Sequence, residues 1–190
     1  MELAVTATHF HTTRDLFDAF PTVKNSVKIV PGDEEPVAAV RKLADSGQLR
    51  EASALCAYLL RRREAVWWAC RSLRLRPGLA DADDQALRAA EHWAQSPSEE
   101  ARDVAAKWAA VGDQAAPQTW AAYAAGYSGG TLGEGFQRPV RVPVHLTAES
   151  ARLAVLLCEA RLGLPEAQSF LRECVDAALV LLAEPPKAGR

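Results

Sequence analysis

The sequence predicts an all-α protein: an irregular antiparallel bundle of about eight short helices in a helical-hairpin stack, with an irregular N-terminal segment and one long Gly/Pro-rich loop. Three observations predict it. Alanine supplies 37 of the 190 residues, and it loses no side-chain entropy in a helix while letting neighbouring helices approach closely. Apolar residues recur at i, i+3, i+4 spacing through most of the chain from Pro36 to Ala183. Pro, Gly, Ser and Asp interrupt these stretches, and the short connections they leave imply antiparallel neighbours.

Taken in order, Thr12 and Thr13 precede Arg14–Phe20, a short capped helix that Pro21 closes. Val27, Ile29 and Val30 alternate with polar residues and predict a short extended segment lying along the bundle. Pro36 opens the next helix at its favoured first position, with Val37, Val40 and Leu43 as the apolar stripe and Ser46-Gly47 as the stop. Leu49–Leu60 follows, and the basic run Arg61-Arg62-Arg63 reads as its C-terminal end, where cations suit the helix dipole. Glu64–Leu75 is stopped by Pro77-Gly78, and Asp81, Asp83 or Asp84 caps Gln85–Trp93.

Ser96-Pro97-Ser98-Glu99-Glu100 reads as a cap, a first-position proline and an acidic first turn, and it sends Val104, Ala105, Trp108 and Val111 inward. Pro117 starts a helix through Trp120 and Tyr123 to Gly126, and a long irregular loop then runs from Tyr127 to Leu146. Thr147 caps Ala148–Leu162, whose apolar side carries Leu153, Leu156 and Leu157. Pro165 begins the last helix, with Phe170, Leu171, Cys174, Val175, Ala178, Leu181 and Leu182 on one broad face. The domain reading is therefore an N-terminal segment over 1–35 packed on the bundle, one helical domain over 36–184, and a fraying tail over 185–190.

Composition narrows the function classes. A net charge of −2 is not the basic balance with which nucleic-acid binders displace counterions, so no nucleic-acid partner is expected. The start MELAVTATHF has no basic n-region or long apolar run, and the longest apolar segment, Ala177–Ala183, is too short to span a membrane. A cytoplasmic protein without membrane insertion is expected. Cys56, Cys70, Cys158 and Cys174 each lie in an apolar helical stretch without close pairing, and read as small hydrophobes. No pair of histidines has metal-ligand spacing on a helix, and no nucleophile elbow or phosphate loop is present, so neither catalytic residues nor a metal or cofactor is expected.

Three features compete as contact surfaces. Trp67 and Trp68 are adjacent, so their rings point about 100° apart on a helix and only one can enter a given core face; the other packs beside it or meets a partner. Arg61, Arg62, Arg63, Arg71, Arg74 and Arg76 crowd a short stretch, which suits an ion-paired surface or an acidic protein. The loop from Tyr127 to Leu146 combines glycines with Tyr127, Leu132, Phe136 and Val140, apolar anchors that a solvated linker would not need. It reads either as a static wrap over the core or as a contact loop, and Pro139 and Pro143 favour an extended Val140–Val142 whose backbone could pair with an added strand. Trp67, Trp68, Arg71, Arg74, Tyr127, Leu132, Phe136 and Val140 are the candidate partner contacts.

Several segments, taken together, resemble a known group of proteins. These are Glu64-Ala65-Val66-Trp67-Trp68-Ala69-Cys70, then Pro97 with Glu99-Glu100 and Arg102, then Ser128-Gly129-Gly130 with Leu132, Pro139, Pro143 and His145-Leu146-Thr147. In this order and spacing the chain, over roughly 35–183, resembles an uncharacterised bacterial protein family associated with type VI secretion gene clusters. The resemblance brings no catalytic or ligand residues with it. It implies a non-enzymatic interaction module, an accessory, adaptor or chaperone-like protein whose partner is a secretion component or effector. The competing expectation is an immunity protein that neutralises a co-encoded toxin.

Overall fold

The computed structural model describes residues 10–76, 78, 84–132 and 140–183. Among the described residues the helices are α1 (Thr13–Ala19), α2 (Pro36–Asp45), α3 (Leu49–Leu59), α4 (Arg62–Arg74), α5 (Gln85–Gln95), α6 (Glu99–Val111), α7 (Pro117–Gly126), α8 (His145–Glu159) and α9 (Leu164–Ala183), with a 3₁₀ turn at Pro21–Asn25. A two-stranded antiparallel ribbon, β1 (Thr131–Leu132) with β2 (Val140–Arg141), joins α7 to α8. The protein is all-α, as its composition and periodicity predict.

Helices α2, α3 and α9 form one side, with α1 and the 3₁₀ turn laid over α2 and α3; α5, α6 and α7 form the other. Helices α4 and α8 lie between, and α4 packs on α5, α7, α8 and α9. At its centre the Trp68 ring is fully buried, and its indole N–H donates to the backbone carbonyl of Cys174 in α9 at 2.8 Å. Helices α3 and α4 are the exception to hairpin stacking. Leu60 and Arg61 are both extended between them, and the chain turns a corner there instead of folding back.

Several caps are those the sequence predicts. Thr12 accepts from the Asp15 N–H at 3.1 Å, and Asp15 answers by accepting from the Thr12 N–H at 3.0 Å, a reciprocal capping box. Asp84, of the three aspartates offered, caps α5 by accepting from Ala86 and Leu87, and its second oxygen accepts from Gln118 Nε2 at 3.1 Å; Asp81 and Asp83 lie outside the described residues. Ser98, not Ser96, caps α6 through the Ala101 N–H, so Pro97 precedes the cap.

The Val27–Val30 segment lies along the bundle without pairing as a strand; Val27 is buried, Ile29 packs on the core and Val30 is exposed. Four further expectations need correction. In α6 the buried stripe is Ala101, Ala105 and Ala109, while Val104, Trp108 and Val111 are 46%, 42% and 77% exposed. The alanines win because they let α6 lie closer to α5 and α7 than valine or tryptophan would permit. Helix α8 starts at His145, two residues before Thr147, whose hydroxyl donates instead to the carbonyl of Tyr127 at 2.9 Å. Its buried face is Ala148, Ala151, Ala154, Val155 and Cys158, with Leu153, Leu156 and Leu157 half-buried.

The fourth concerns the basic run. Arg62 and Arg63 open α4, the end where a helix dipole disfavours cations. Their side chains reach away from it. Arg63 donates to the Ala94 and Gln95 carbonyls at the C-terminus of α5, at 2.7 and 3.1 Å, and Arg62 donates to the Ser128 carbonyl beyond α7 at 2.8 Å. Each cation thus sits at the negative end of a neighbouring helix.

Close approach also explains Gly126. A Cβ there would stand 3.0 Å from the Ala106 Cβ and 3.1 Å from its Cα. Gly126→Ala is expected to force α6 and α7 apart and lower the melting temperature. Trp68→Ala should cost about 3–5 kcal/mol in urea denaturation, as deletion of a fully buried aromatic does. Trp67→Ala, at a half-buried position, should cost roughly 1–2 kcal/mol from lost apolar contact. Equal losses for the two tryptophans would remove Trp68 from its central role.

Candidate protein-interaction surface

Of the contact residues named from sequence, Trp68 and Arg74 are engaged within the fold, Phe136 lies outside the described residues, and the others fall in two places. Trp68 is core. Trp67, one residue earlier, is half-buried, and the exposed Arg71 one turn on holds its guanidinium carbon 6.0 Å from the Trp67 ring centroid. That is cation–π geometry on a surface ring. Arg74 is engaged inside the fold, with Nε and Nη2 donating to the two Glu91 carboxylate oxygens at 2.8 and 2.9 Å. Arg76 likewise bonds Glu173 and lies over the Phe170 ring. The arginine-rich stretch therefore ties α4 to α5 and α9, while Arg71 lies exposed over Trp67.

The second place is the α7–α8 connection. Tyr127 follows α7 directly, and the spacing of Trp120, Tyr123 and Tyr127 puts three aromatics along one side. Ring centroids stand 5.4 Å apart for Trp120 and Tyr123, and 5.3 Å for Tyr123 and Tyr127, the latter pair stacked. Burial first, and the neighbouring Tyr123 second, hold the Tyr127 phenol above its ordinary pKa.

The ribbon then rises beside this ladder. Leu132 pairs with Val140, Thr131 pairs with Arg141, and the Val142 N–H donates to the Gly130 carbonyl at 3.2 Å. The extended Val140–Val142 backbone, read from sequence as open to an added strand, is thus paired on one edge by its own chain. Gly130 has φ +78 and packs against Arg102 of α6: a Cβ there would stand 3.1 Å from the guanidinium carbon. The positive φ favours glycine, and a side chain there would also push the Arg102 guanidinium aside.

A cleft of about 430 Å³ opens between these parts. Tyr123 and Tyr127 form its floor, Arg102, Asp103 and Lys107 of α6 one wall, and Thr131, Leu132 and Val142 the other. Leu132 and Val140 are 37% and 63% exposed on the ribbon. The cleft thus joins Tyr127 and Leu132 as the sequence suggests, and adds Tyr123, Arg102 and Lys107, which sequence reasoning missed. The i, i+3, i+7 aromatic spacing was the available signal for Tyr123. Nothing in the sequence signals that α6 lies across from the ribbon. Phe136 lies outside the described residues, and Trp67 and Arg71 do not line the cleft.

The interior chemistry is muted. All four cysteines are buried free thiols. Burial is the main cause that raises each of them, with Cys174 adding to the effect on Cys56, and it pushes Cys158 and Cys174 up to about 12. Thiols held so far above neutrality stay protonated and are poor nucleophiles. Among the described residues no group of three His, Cys, Asp or Glu side chains converges as metal ligands would, and no helix is long and apolar enough to cross a membrane.

A family model described as a family of unknown function (DUF6931) matches residues 39–182, which takes in α3 to α8 whole, most of α2 and α9, the ribbon and the cleft. The chain belongs to that family. No curated protein and no solved structure matches it. The DUF6931 match therefore ends before the tail and begins after α1, and both proposed contact areas fall inside it.

The buried thiols and Tyr58 set an alkaline limit. Tyr58, desolvated and hydrogen-bonded to Glu149, is raised from 10.0 to about 12. Acids raised in the fold ionise first in the unfolded chain, so their contribution to stability is complete below the unfolded pKa and falls above it. The urea midpoint should hold level from pH 7 to 8.5 and then decline as pH passes the ordinary thiol value of 9.0. Tyr58→Phe should flatten the part of the decline above pH 10. A midpoint independent of pH up to 11 would contradict the buried-thiol assignment.

Proposed function

We propose that this protein is a non-enzymatic protein-interaction module, a cytoplasmic accessory, adaptor or chaperone-like component of a bacterial type VI secretion system. The observation that carries the reading is the cleft between α6 and the ribbon, where an aromatic floor lies between a charged wall of Arg102, Asp103 and Lys107 and a ribbon wall that carries Leu132 and Val142. Aromatic and arginine side chains around a concave apolar patch are the usual anchors of protein contacts. The secretion assignment rests on the resemblance carried by the Glu64–Cys70 and Ser128–Leu132 segments.

Leu132 and Val140 offer apolar surface on the partner side while the ribbon's backbone hydrogen bonds stay within the chain. A partner segment with an apolar residue for the tyrosine floor and an acidic residue for Lys107 fits this surface, Arg102 being paired already with Asp103 at 3.1 Å and Glu99 at 3.7 Å. Trp67 with Arg71 is a second, smaller contact on α4.

The test uses a strain that carries the secretion cluster. Deleting the gene should abolish secretion of one cargo without harming the cell that made it, and the wild-type gene should restore secretion. A Leu132→Asp/Val140→Asp double variant should keep the wild-type melting temperature and fail to restore secretion. Self-intoxication with secretion intact would replace the adaptor reading with immunity. A double variant that restores secretion fully would remove the ribbon from the contact surface.

A further inference from the structure

At the corner between α3 and α4 lies a second cavity, of about 520 Å³, a volume within the range of small-ligand pockets. Its lining is mostly apolar, with Phe10, Phe20, Trp93 and Ala148 among the walls and Tyr58 beside them. Phe10 meets Phe20 edge-on at 5.8 Å, and Phe20 meets Tyr58 at 5.5 Å. Three consecutive arginines also line it, and two of them are accounted for. Arg62 is held by the Ser128 carbonyl, and Arg63 by the Ala94 and Gln95 carbonyls.

Arg61 is different. Its Nε is buried without a hydrogen-bond partner, and its guanidinium makes no hydrogen bond or ion pair to any described residue. The nearest acid in sequence, Glu64, accepts instead from the Arg61 backbone N–H at 3.1 Å. A buried charged donor without a partner is unfavourable, so a ligand that supplies an acceptor is favoured there. Arg61 also precedes the first turn of α4, a thirteen-residue helix whose positive end opens beside the same cavity. An unpaired guanidinium, a helix N-terminus and an aromatic chamber thus converge on one space.

We propose that this cavity binds a single carboxylate borne on an apolar body, with the carboxylate paired two-point on Arg61 and the apolar part among Phe10, Phe20 and Trp93. One uncommitted guanidinium matches the one charge and planar geometry of a carboxylate. The apolar walls disfavour a phosphate, which brings more charge and needs more donors. The carboxylate belongs either to a free medium-chain acid or to the C-terminus of an apolar peptide, and both present the same chemistry to Arg61. The site is separate from the α6–ribbon cleft, so it stands or falls independently of the adaptor reading.

Calorimetric titration of the full chain tests it, with decanoate below micelle-forming concentration, decanol, and an apolar hexapeptide with either a free or an amidated C-terminus. Decanoate or the free-terminus peptide should bind saturably, and whichever is tighter identifies the source. Decanol and the amidated peptide should bind roughly tenfold to a hundredfold more weakly, the range of a lost charged hydrogen bond. Arg61→Met should weaken the acid by a similar factor while leaving the melting temperature of the free protein equal or higher, because no protein contact is lost. Arg61→Lys, which keeps the charge without the fork, should fall between and covers the case that Arg61→Met does not fold. Absence of saturable binding by either carboxylate, equal affinity for decanoate and decanol, or unchanged decanoate affinity in both Arg61 variants would overturn the proposal.

Discussion

The indole N–H of Trp68 is a donor in a place without water. Left unmade, a buried donor of that kind costs about 1–3 kcal/mol, so the ring can enter the core only where an acceptor waits. The acceptor is the carbonyl of Cys174, in the middle of α9, which can serve both its own helix and the indole because a carbonyl oxygen has two lone pairs. That requirement sets α9 against α4 at one height and one rotation. With α4 held in this way, α5, α7 and α8 pack around its remaining faces, and the cleft and the corner cavity follow from where those helices end.

Alanine decides how closely the helices approach, and arginine ties them once they are there. The stripes of Ala101, Ala105 and Ala109 in α6 and Ala121, Ala124 and Ala125 in α7 are buried, with Gly126 at the tightest point. Guanidinium groups then cross between elements. Arg63 reaches the C-terminus of α5, Arg172 reaches the Ala44 carbonyl near the end of α2, and Arg50 holds the buried Glu159 at the end of α8. Arg102 braces the glycine turn of the ribbon against α6. Among the described residues Arg61 and Arg152 depart from this, each with a buried Nε that has no partner.

Legibility in the sequence followed interaction range. The Thr12 capping box, the Asp84 cap, the prolines that open α2 and α7 and the burial of one tryptophan of the pair were readable, because each depends on neighbours within a turn or on helical spacing. The exposed side of α6 was not, because hydrophobicity alone favours Val104 and Trp108 as core, whereas close packing selects the alanines. The arginine run was misplaced by one helix because its partners, Ser128 and Ala94, lie far along the chain. At the candidate surface, Tyr127 and Leu132 were legible as apolar residues in a glycine-rich connection. The opposing wall of Arg102 and Lys107 was not, since nothing local in α6 announces what lies across from it. Arg61 was legible only as one of several basic residues, and its lack of a partner is a property of the folded chain.

Amide and indole hydrogen exchange followed by nuclear magnetic resonance is the most direct test that the Trp68–Cys174 contact organises the fold. The account predicts that the Trp68 indole proton exchanges only on global unfolding, with protection equal to the most protected amides of α4 and α9. The indole of Trp108, on the exposed side of α6, should exchange by local solvent access within the dead time. Rapid exchange at Trp68 while α4 and α9 amides stay protected would contradict the account, because the helices would then hold together without the bond said to place them.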